Sequence, residues 1–571
     1  MREIVTLQVG GFANFVGSHF WNFQDELLGL AEDPHADDVF KNQNLDMDVL
    51  YRAGQTEQGL QTYTPRLVSI DFQGSLGSLI SRGTLYDHDS PDPSSVTTWT
   101  GGLSTLKSER LKKNIFLQSL DEEQNVYLPG KDKGDPSGGY QDMDIVNCLE
   151  DGVKFWTDYS KVHYHPKSLY ELTGLWVDAL EFDNYGIGRE AVSSCLGRED
   201  IDDRLRFFVE ECDHMQGFQF FVDDSGGFSS IASDVLEHIA DDYGRIPVLL
   251  YSVRDPGSYA NIGRRKQAVF RGLHDAVSFS RLSSFSNLIV PVGLPSLSQS
   301  RLSSFLRIDD NKLYHCSAVY AAGLHSISLP FRMGSPSPTC DSRLFSGAVG
   351  VNDVVQILSG KSWRNRVAVL ELAMPAPSLL GAGTEGRFLR NLQPVTTEVS
   401  RDVEDLQAVE TMVVHGVTGP GGHPASVSEV EDALHTAYDH SGTMPKFCHL
   451  SVAQCPLPIP LPFPSIFSHA VGERGELLSA PAMEGSSSRG SPDVRCVPMV
   501  VKLRSSCAVL PYIENRLGYL RRFGTERGAP GSELLRSWGF GRDELDDMAE
   551  GLSGMAAELK PLAEMSSSDS D

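Results

Sequence analysis

Apolar residues open the chain at Ile4, Val5, Leu7 and Val9, a short β-branched run suited to a buried strand, and the run stops at Gly10 and Gly11. Beyond the glycines, Phe12, Phe15, Val16, His19, Phe20, Phe23, Leu27 and Leu28 return at helical spacing, so the pattern predicts strand, glycine turn, helix. Such a turn lets backbone N–H groups and a helix N-terminus approach an anion, although the same turn occurs in sheets that bind nothing. The alternation continues. An apolar strand over 67–70 ends at Asp71, and an amphipathic helix over 201–211 carries Ile201, Leu205, Phe208 and Val209 on one face. A helix over 233–243 and a buried strand over 245–253 complete a β-α-β reading, which implies a parallel sheet. Farther on, strands over 367–372 and 411–414, a helix over 427–438 and a long strand or strand pair over 494–511 predict a second α/β layer.

Composition narrows the class. With 571 residues, 40% hydrophobic and 22% charged, the chain can bury one large core and a smaller one. Acidic residues outnumber basic ones by 76 to 49, and a net charge of −27 disfavours nucleic acid and anionic lipid as partners. Nine scattered cysteines without a Cys-x-x-Cys pair, in a chain with no signal-peptide pattern, are expected to be reduced thiols in the cytosol. The longest apolar runs are too short or too proline-rich to span a bilayer, so membrane association is expected to be peripheral. His163 and His165 lack a Cys, Asp or Glu at metal-ligand spacing, and the aromatic tract around them (Trp156, Tyr159, Tyr164, Tyr170, Trp176) reads as helical and as core rather than a docking surface. The proline-rich run over 455–464 reads as a buried rigid connector ahead of a groove-binding ligand.

The first residues carry more than a pattern. Met1 to Val5, Gln8, Gly10, Asn14, Gly17, Phe20 and Trp21 resemble the start of the tubulins without a gap, and the Gly-Ser-His-Phe-Trp-Asn-Phe run over 17–23 resembles the Misato family, tubulin-related proteins linked to mitochondrial distribution and morphology. The resemblance covers about half the chain, strongest over 1–75, 183–253 and 310–332. It implies a tubulin/FtsZ-like parallel-sheet nucleotide domain with insertions (1–77 and 183–332), a family-specific insertion (78–182, disordered near 129–140), a second α/β domain with Pro-rich and Ser/Gly-rich linkers (333–515), and C-terminal helices with an acidic tail (516–571). It also implies a remnant GTP site at Gly10, Gly11, Asn14, Asp71, Gly226, Gly227 and Asn311, with Tyr320 where tubulins stack an aromatic ring on the base.

The departures from that pattern matter most. Gln73 replaces an acidic residue that helps hold magnesium in tubulins, and an amide does not offset a divalent charge. The glycine-rich signature loop becomes Ser-Gly-Gly-Phe-Ser-Ser-Ile over 225–231, preceded by Asp223 and Asp224, so bulk and negative charge stand where phosphate would approach. The second base-pairing asparagine falls at Leu324, and no Gly-x-x-Asn-x-Asp supplies a catalytic acid; Gly350, Asn352 and Asp353 have the wrong spacing. Ser359-Gly-Lys-Ser362 lacks a Walker glycine, because position 355 is Val355. The expectation is therefore a non-enzyme with a degenerate GTPase site, no metal and no confident cofactor. As the resemblance implies it, the protein works at the cytosolic face of the mitochondrial outer membrane and in the cytoplasm, through tubulin-related or outer-membrane protein partners, on mitochondrial distribution, morphology and fusion. A weak GTP-binding switch or assembling relative acting on microtubules and the spindle stays open beside it.

Overall fold

The computed structural model describes residues 2–41, 45–55, 61–79, 111–126, 141–172, 182–192, 195–259, 265–334, 344–359, 365–379, 387–400, 405, 407–441, 444–478 and 488–560. The alternation of strands, turns and helices becomes a six-stranded, all-parallel sheet of β1 (Glu3–Val9), β2 (Leu67–Phe72), β3 (Leu169–Leu172), β4 (Met215–Asp223), β5 (Val248–Val253) and β6 (Leu288–Val292), in the order β3-β2-β1-β4-β5-β6. Strand order reverses between β1 and β4, and in open α/β sheets the crevice beyond the carboxyl ends at such a point is where ligands bind. Gly10 and Asp223 stand at those two ends.

Every residue of β1 is buried, as expected of a strand covered on both faces. One face packs on α1 (Gly11–Glu32) and the other on α3 (Tyr185–Val192), α4 (Cys195–Glu210), α5 (Phe228–Asp242) and α6 (Arg265–Phe285); α2 (Asp142–Gly152) joins the α1 side. Strand β3 comes from the stretch read as insertion, and the aromatic tract is not helical. Only Trp156–Tyr159 makes a single 3₁₀ turn, and the chain turns once more over 166–168 before β3, where the Pro166 ring disfavours helix at the preceding residue. Trp156, Tyr159, Tyr164 and Tyr170 are buried, whereas Trp176, like 129–140 and the acidic tail, lies outside the described residues. Arg204 caps the free edge of β3 by donating to the carbonyls of Leu169 (2.7 Å) and Pro166 (3.0 Å).

Helix α7 (Leu313–Ser328) is buried on every side, a pattern that belongs to a helix between two layers. Below it lies a mixed sheet of β7 (Leu344–Ser346), β8 (Val369–Ala373), β9 (Gln393–Pro394), β10 (Val409–His415), β11 (Phe447–Ala453) and β12 (Met499–Ser505), ordered β9-β8-β12-β10-β11-β7. Helix α8 (Val351–Ser359) joins the two layers, and α9 (Val427–Ser441) covers the far face of the second sheet. The proline-rich run is indeed internal: Leu457, Ile459 and Phe463 are buried, and Phe463 packs on His19 and Phe23 at 5.8 and 5.7 Å. Helices α10 (Leu510–Leu520) and α11 (Arg542–Leu559) close the outer layer against α6. Among the described residues no helix is long and apolar enough to cross a membrane.

Candidate functional site

Gly10 leaves β1 at φ +110°, a value that L side chains rarely adopt, and so turns the chain directly into α1. Space is as short as the dihedral is unusual. A Cβ at Gly10 would lie 2.5 Å from Cβ of Asp223 and 3.1 Å from the Phe228 ring. The amide of Phe12, in the first turn of α1, donates to Oδ2 of Asp223 at 3.4 Å, and Oδ1 accepts from the amide (3.1 Å) and hydroxyl (2.6 Å) of Ser225. A carboxylate of the chain thus takes the position at the helix N-terminus that favours an anion. Burial, opposed by the Ser225 hydroxyl and reinforced by Asp255 and Asp224, raises the Asp223 carboxyl to about 6.

Its neighbour behaves differently. Asp224 accepts from Arg254 at 2.8 Å and from Ser252 at 3.1 Å, and Arg254 reaches on to Asp275 at 2.8 Å. The two carboxylates expected to repel phosphate together therefore divide: Asp224 is neutralised by a buried guanidinium, and Asp223 faces the helix terminus.

Glycines 226 and 227 serve packing. Neither has a positive φ. A Cβ at Gly226 would meet the carbonyl of Phe182 at 2.4 Å, and one at Gly227 the Phe182 ring at 2.5 Å. The amide of Gly227 donates to that same carbonyl at 2.9 Å. Phe228 then lies against Phe72 (4.7 Å) and Phe182 (5.0 Å), a three-ring cluster beside the turn.

Asn14 and Asp71 do come together, held by the protein itself. The Asn14 amide donates to Asp71 Oδ2 (3.1 Å) and to the carbonyl of Ile70 (3.3 Å), while its oxygen accepts from Ser69 (2.8 Å). Asp71 also accepts from the Trp156 indole (3.0 Å) and from the amide of Phe72 (2.8 Å). Burial outweighs these bonds and pushes its carboxyl up to about 6. Gly11 borders the group: a Cβ there would sit 4.0 Å from Asp71 Oδ1.

The base end of the expected pocket is filled. Tyr320 is buried, its hydroxyl accepts from the amide of Leu294 (2.8 Å), and the Phe12 ring meets it edge-on at 6.1 Å. Asn311 is exposed, and its amide donates to Asp309 Oδ1 (3.1 Å), so none of its hydrogen bonds reaches Gly10, Asn14 or Asp71. Gln73 is exposed. Asp353 accepts from the amide of Gly350 (3.0 Å) at the start of α8, which makes it a local helix cap. Among the described residues no group of three or more His, Cys, Asp or Glu is placed to hold a metal ion, and His165 stacks on Phe207 at 4.7 Å. Two contacts that matter here carry no sequence signal of their own, Phe12 against Tyr320 and Trp156 on Asp71.

Comparison with known proteins places this geometry. Residues 2–122 match the family model of the Misato Segment II tubulin-like domain, and residues 147–333 match a Tubulin domain model. Protein misato homolog 1 of Mus musculus is 29% identical over 576 aligned positions, covering 97% of each chain. Its counterpart from Bos taurus is 30% identical over 509 positions, covering 84% of this chain and 85% of the relative. The chain belongs to the Misato family. Protein DML1 of Gibberella zeae is similar over a shorter span, 30% identical across 339 positions, or 58% of this chain and 61% of the relative. The Misato Segment II match includes the stretch through Gly10, Asn14 and Asp71, and the Tubulin match includes Trp156, Asp223 and Phe228, so the filled cradle lies where the two matches meet in space.

Proposed function

We propose that this Misato-family protein is a non-catalytic, tubulin-like interaction platform that regulates mitochondrial distribution, morphology and fusion from the cytosolic side. The observation that carries the non-catalytic part is the Phe12 amide bound to Asp223 beneath the Phe228 ring, which occupies the anion position with the chain's own carboxylate. A triphosphate entering there meets a fixed carboxylate and an aromatic wall. Displacing them requires breaking the Ser225 contacts as well. Asp353, which accepts from the Gly350 amide at the start of its own helix, supports the same reading, since ordering an attacking water needs a free base. Family membership supports the mitochondrial part, and the partners in this reading are tubulin-related or outer-membrane proteins met by peripheral association.

Calorimetry of the full chain with GTP and GDP in the presence of magnesium tests the platform reading. No binding up to millimolar nucleotide is expected. Micromolar, guanine-selective heat would replace it with the switch or assembling relative acting on microtubules. Imaging cells depleted of the protein tests the cellular half: altered mitochondrial networks are expected, and spindle defects with normal mitochondria would sink that half.

A further inference from the structure

We propose that Ser304 is a phosphate acceptor for an arginine-directed protein kinase, a modification site that stands apart from the platform reading. The hexapeptide Ser-Arg-Leu-Ser-Ser-Phe occurs twice, at 280–285 and again at 300–305. Each copy sets an arginine three residues before a serine and an aromatic residue just after it. Kinases that read basic patterns select their acceptors by such a charge at a fixed spacing. The two copies are identical in sequence, so only the fold can tell them apart.

The first copy closes α6. Arg281 donates there to Glu237 at 2.9 Å and lies over the Phe285 ring at 5.0 Å, so its guanidinium is already committed. Ser283 is buried, and Ser284, though exposed, donates its hydroxyl to the carbonyl of Ser280 one turn back at 2.7 Å. A kinase holds its substrate extended, and presenting Ser284 in that form means unwinding the end of a 21-residue helix. The second copy makes a single 3₁₀ turn, Arg301–Ser304, entered from extended backbone at Ser300. The amide of Ser303 donates to the carbonyl of Ser300 at 3.1 Å, and that of Phe305 to Leu302 at a long 3.4 Å. Arg301 and Ser304 are both exposed, Ser303 is half-buried, and Arg301 forms no ion pair with a described carboxylate. Opening this copy costs one short turn, where opening the first costs the end of a helix.

The surroundings give the mark a consequence. The carbonyl of Phe305 accepts from the amide of Ser468 at 2.9 Å, and the amide of Arg307 donates to the carbonyl of Ile466 at 2.6 Å. The turn is therefore strapped to the proline-rich connector, whose Phe463 packs on Phe23 of α1. A phosphate on Ser304 carries about −1.5 to −2 charge three residues from Arg301 and from Arg307, both exposed, and its oxygens accept charge-assisted bonds from guanidinium groups. The transfer breaks the bond between the γ-phosphorus of ATP and its bridging oxygen and forms one to the Ser304 Oγ. ADP leaves, and the hydroxyl proton passes to the catalytic base of the kinase.

The test uses the full chain, ATP and the catalytic subunit of a cyclic-AMP-dependent protein kinase, with sites mapped by mass spectrometry. Ser304 is expected to be phosphorylated at least about tenfold faster than Ser284, because modification of a folded chain tracks the population of its locally open form. Synthetic peptides of 277–288 and 297–308 should be modified at comparable rates, which assigns the difference to the fold. Arg301→Ala is expected to slow modification of Ser304 by about tenfold or more, and circular dichroism checks that this variant keeps its fold. Equal or faster modification of Ser284, phosphate on Ser303 instead, or indifference to Arg301→Ala overturns the proposal. So does an unmodified Ser304 in the full chain when the 297–308 peptide is modified, since the fold would then close the turn to the kinase. The chain recovered from eukaryotic cells under phosphatase inhibition should carry the same mark, and its absence there overturns the proposal as well.

Discussion

The indole Nε1 of Trp156 donates to Oδ2 of Asp71 at 3.0 Å, joining residues 85 positions apart in the interior beside the turn into α1. Asp71 is 2% exposed, so its carboxyl has no recourse to bulk water when a donor is lost. Trp156→Phe keeps most of the apolar volume and removes this donor. A loss of about 1–3 kcal/mol is expected in urea denaturation, the penalty for under-satisfying a buried polar group. An unchanged midpoint would mean that Asn14 and the Phe72 amide already suffice.

The Asp223 carboxyl gives a pH signature with a definite sign. Its folded value is raised from 3.8 to about 6, so the folded state holds a proton that the unfolded state has released. The stability this contributes is fully present below about pH 4 and is lost as pH rises through about 6. Asp71 adds a term of the same sign, while Glu150, lowered to about 2 by His315 and its other donors, acts in the opposite direction at more acidic pH. The contribution is therefore read as a difference. Asp223→Asn stays neutral throughout, so relative to the parent it should gain on the order of 2–3 kcal/mol between about pH 4 and pH 7, whatever fixed offset the substitution brings. A difference that is flat across that range would show Asp223 ionised at its ordinary value.

Gly17 touches Gln8 so closely that a Cβ would sit 2.0 Å from the amide nitrogen, and both polar atoms of that buried amide lack a protein partner. Gly17→Ala gains about 1 kcal/mol of helix propensity and loses more to overpacking, typically about 1–3 kcal/mol and higher where the neighbour cannot move. Net destabilisation is expected, and Gln8→Ala in the same chain should recover most of it. A double-mutant cycle by chemical denaturation measures the coupling. Additive losses would place the clash elsewhere.

How much of this was legible in the sequence depends on the range over which each feature is encoded. The strand, turn and helix over 3–32 follow from local periodicity and from glycines whose reason is local, and the alternation through 253 gives the parallel sheet. The same locality misleads at 156–172, where aromatic density suggests a helix but Pro166 and pairing with β2 produce an extended edge strand. Among the site residues, Asn14 and Asp71 meet because Asp71 lies at the carboxyl end of β2 and Asn14 in the first turn of the helix that follows the adjacent β1. Phe12 against Tyr320 spans 308 positions and Trp156 on Asp71 spans 85, so nothing in their neighbourhoods announces them. Asp223 and Asp224 read alike as charges that would repel phosphate, and only the fold reveals that Asp223 accepts from the first turn of α1 while Asp224 is paired with Arg254.

Helix α7 offers water no face: all of its residues from Tyr314 to Ser328 are buried, shared between the parallel sheet above and the mixed sheet below, and Gly323 lets it come within reach of Leu372 on β8. Neither layer can keep this helix without the other. A fragment ending near residue 334 would carry an uncovered apolar rod, and a fragment beginning after it would lack the rod that fills its sheet. The Tubulin family-model match ends at 333, yet that position marks a seam in sequence only, and the chain is expected to melt as one cooperative body and to aggregate when cut there.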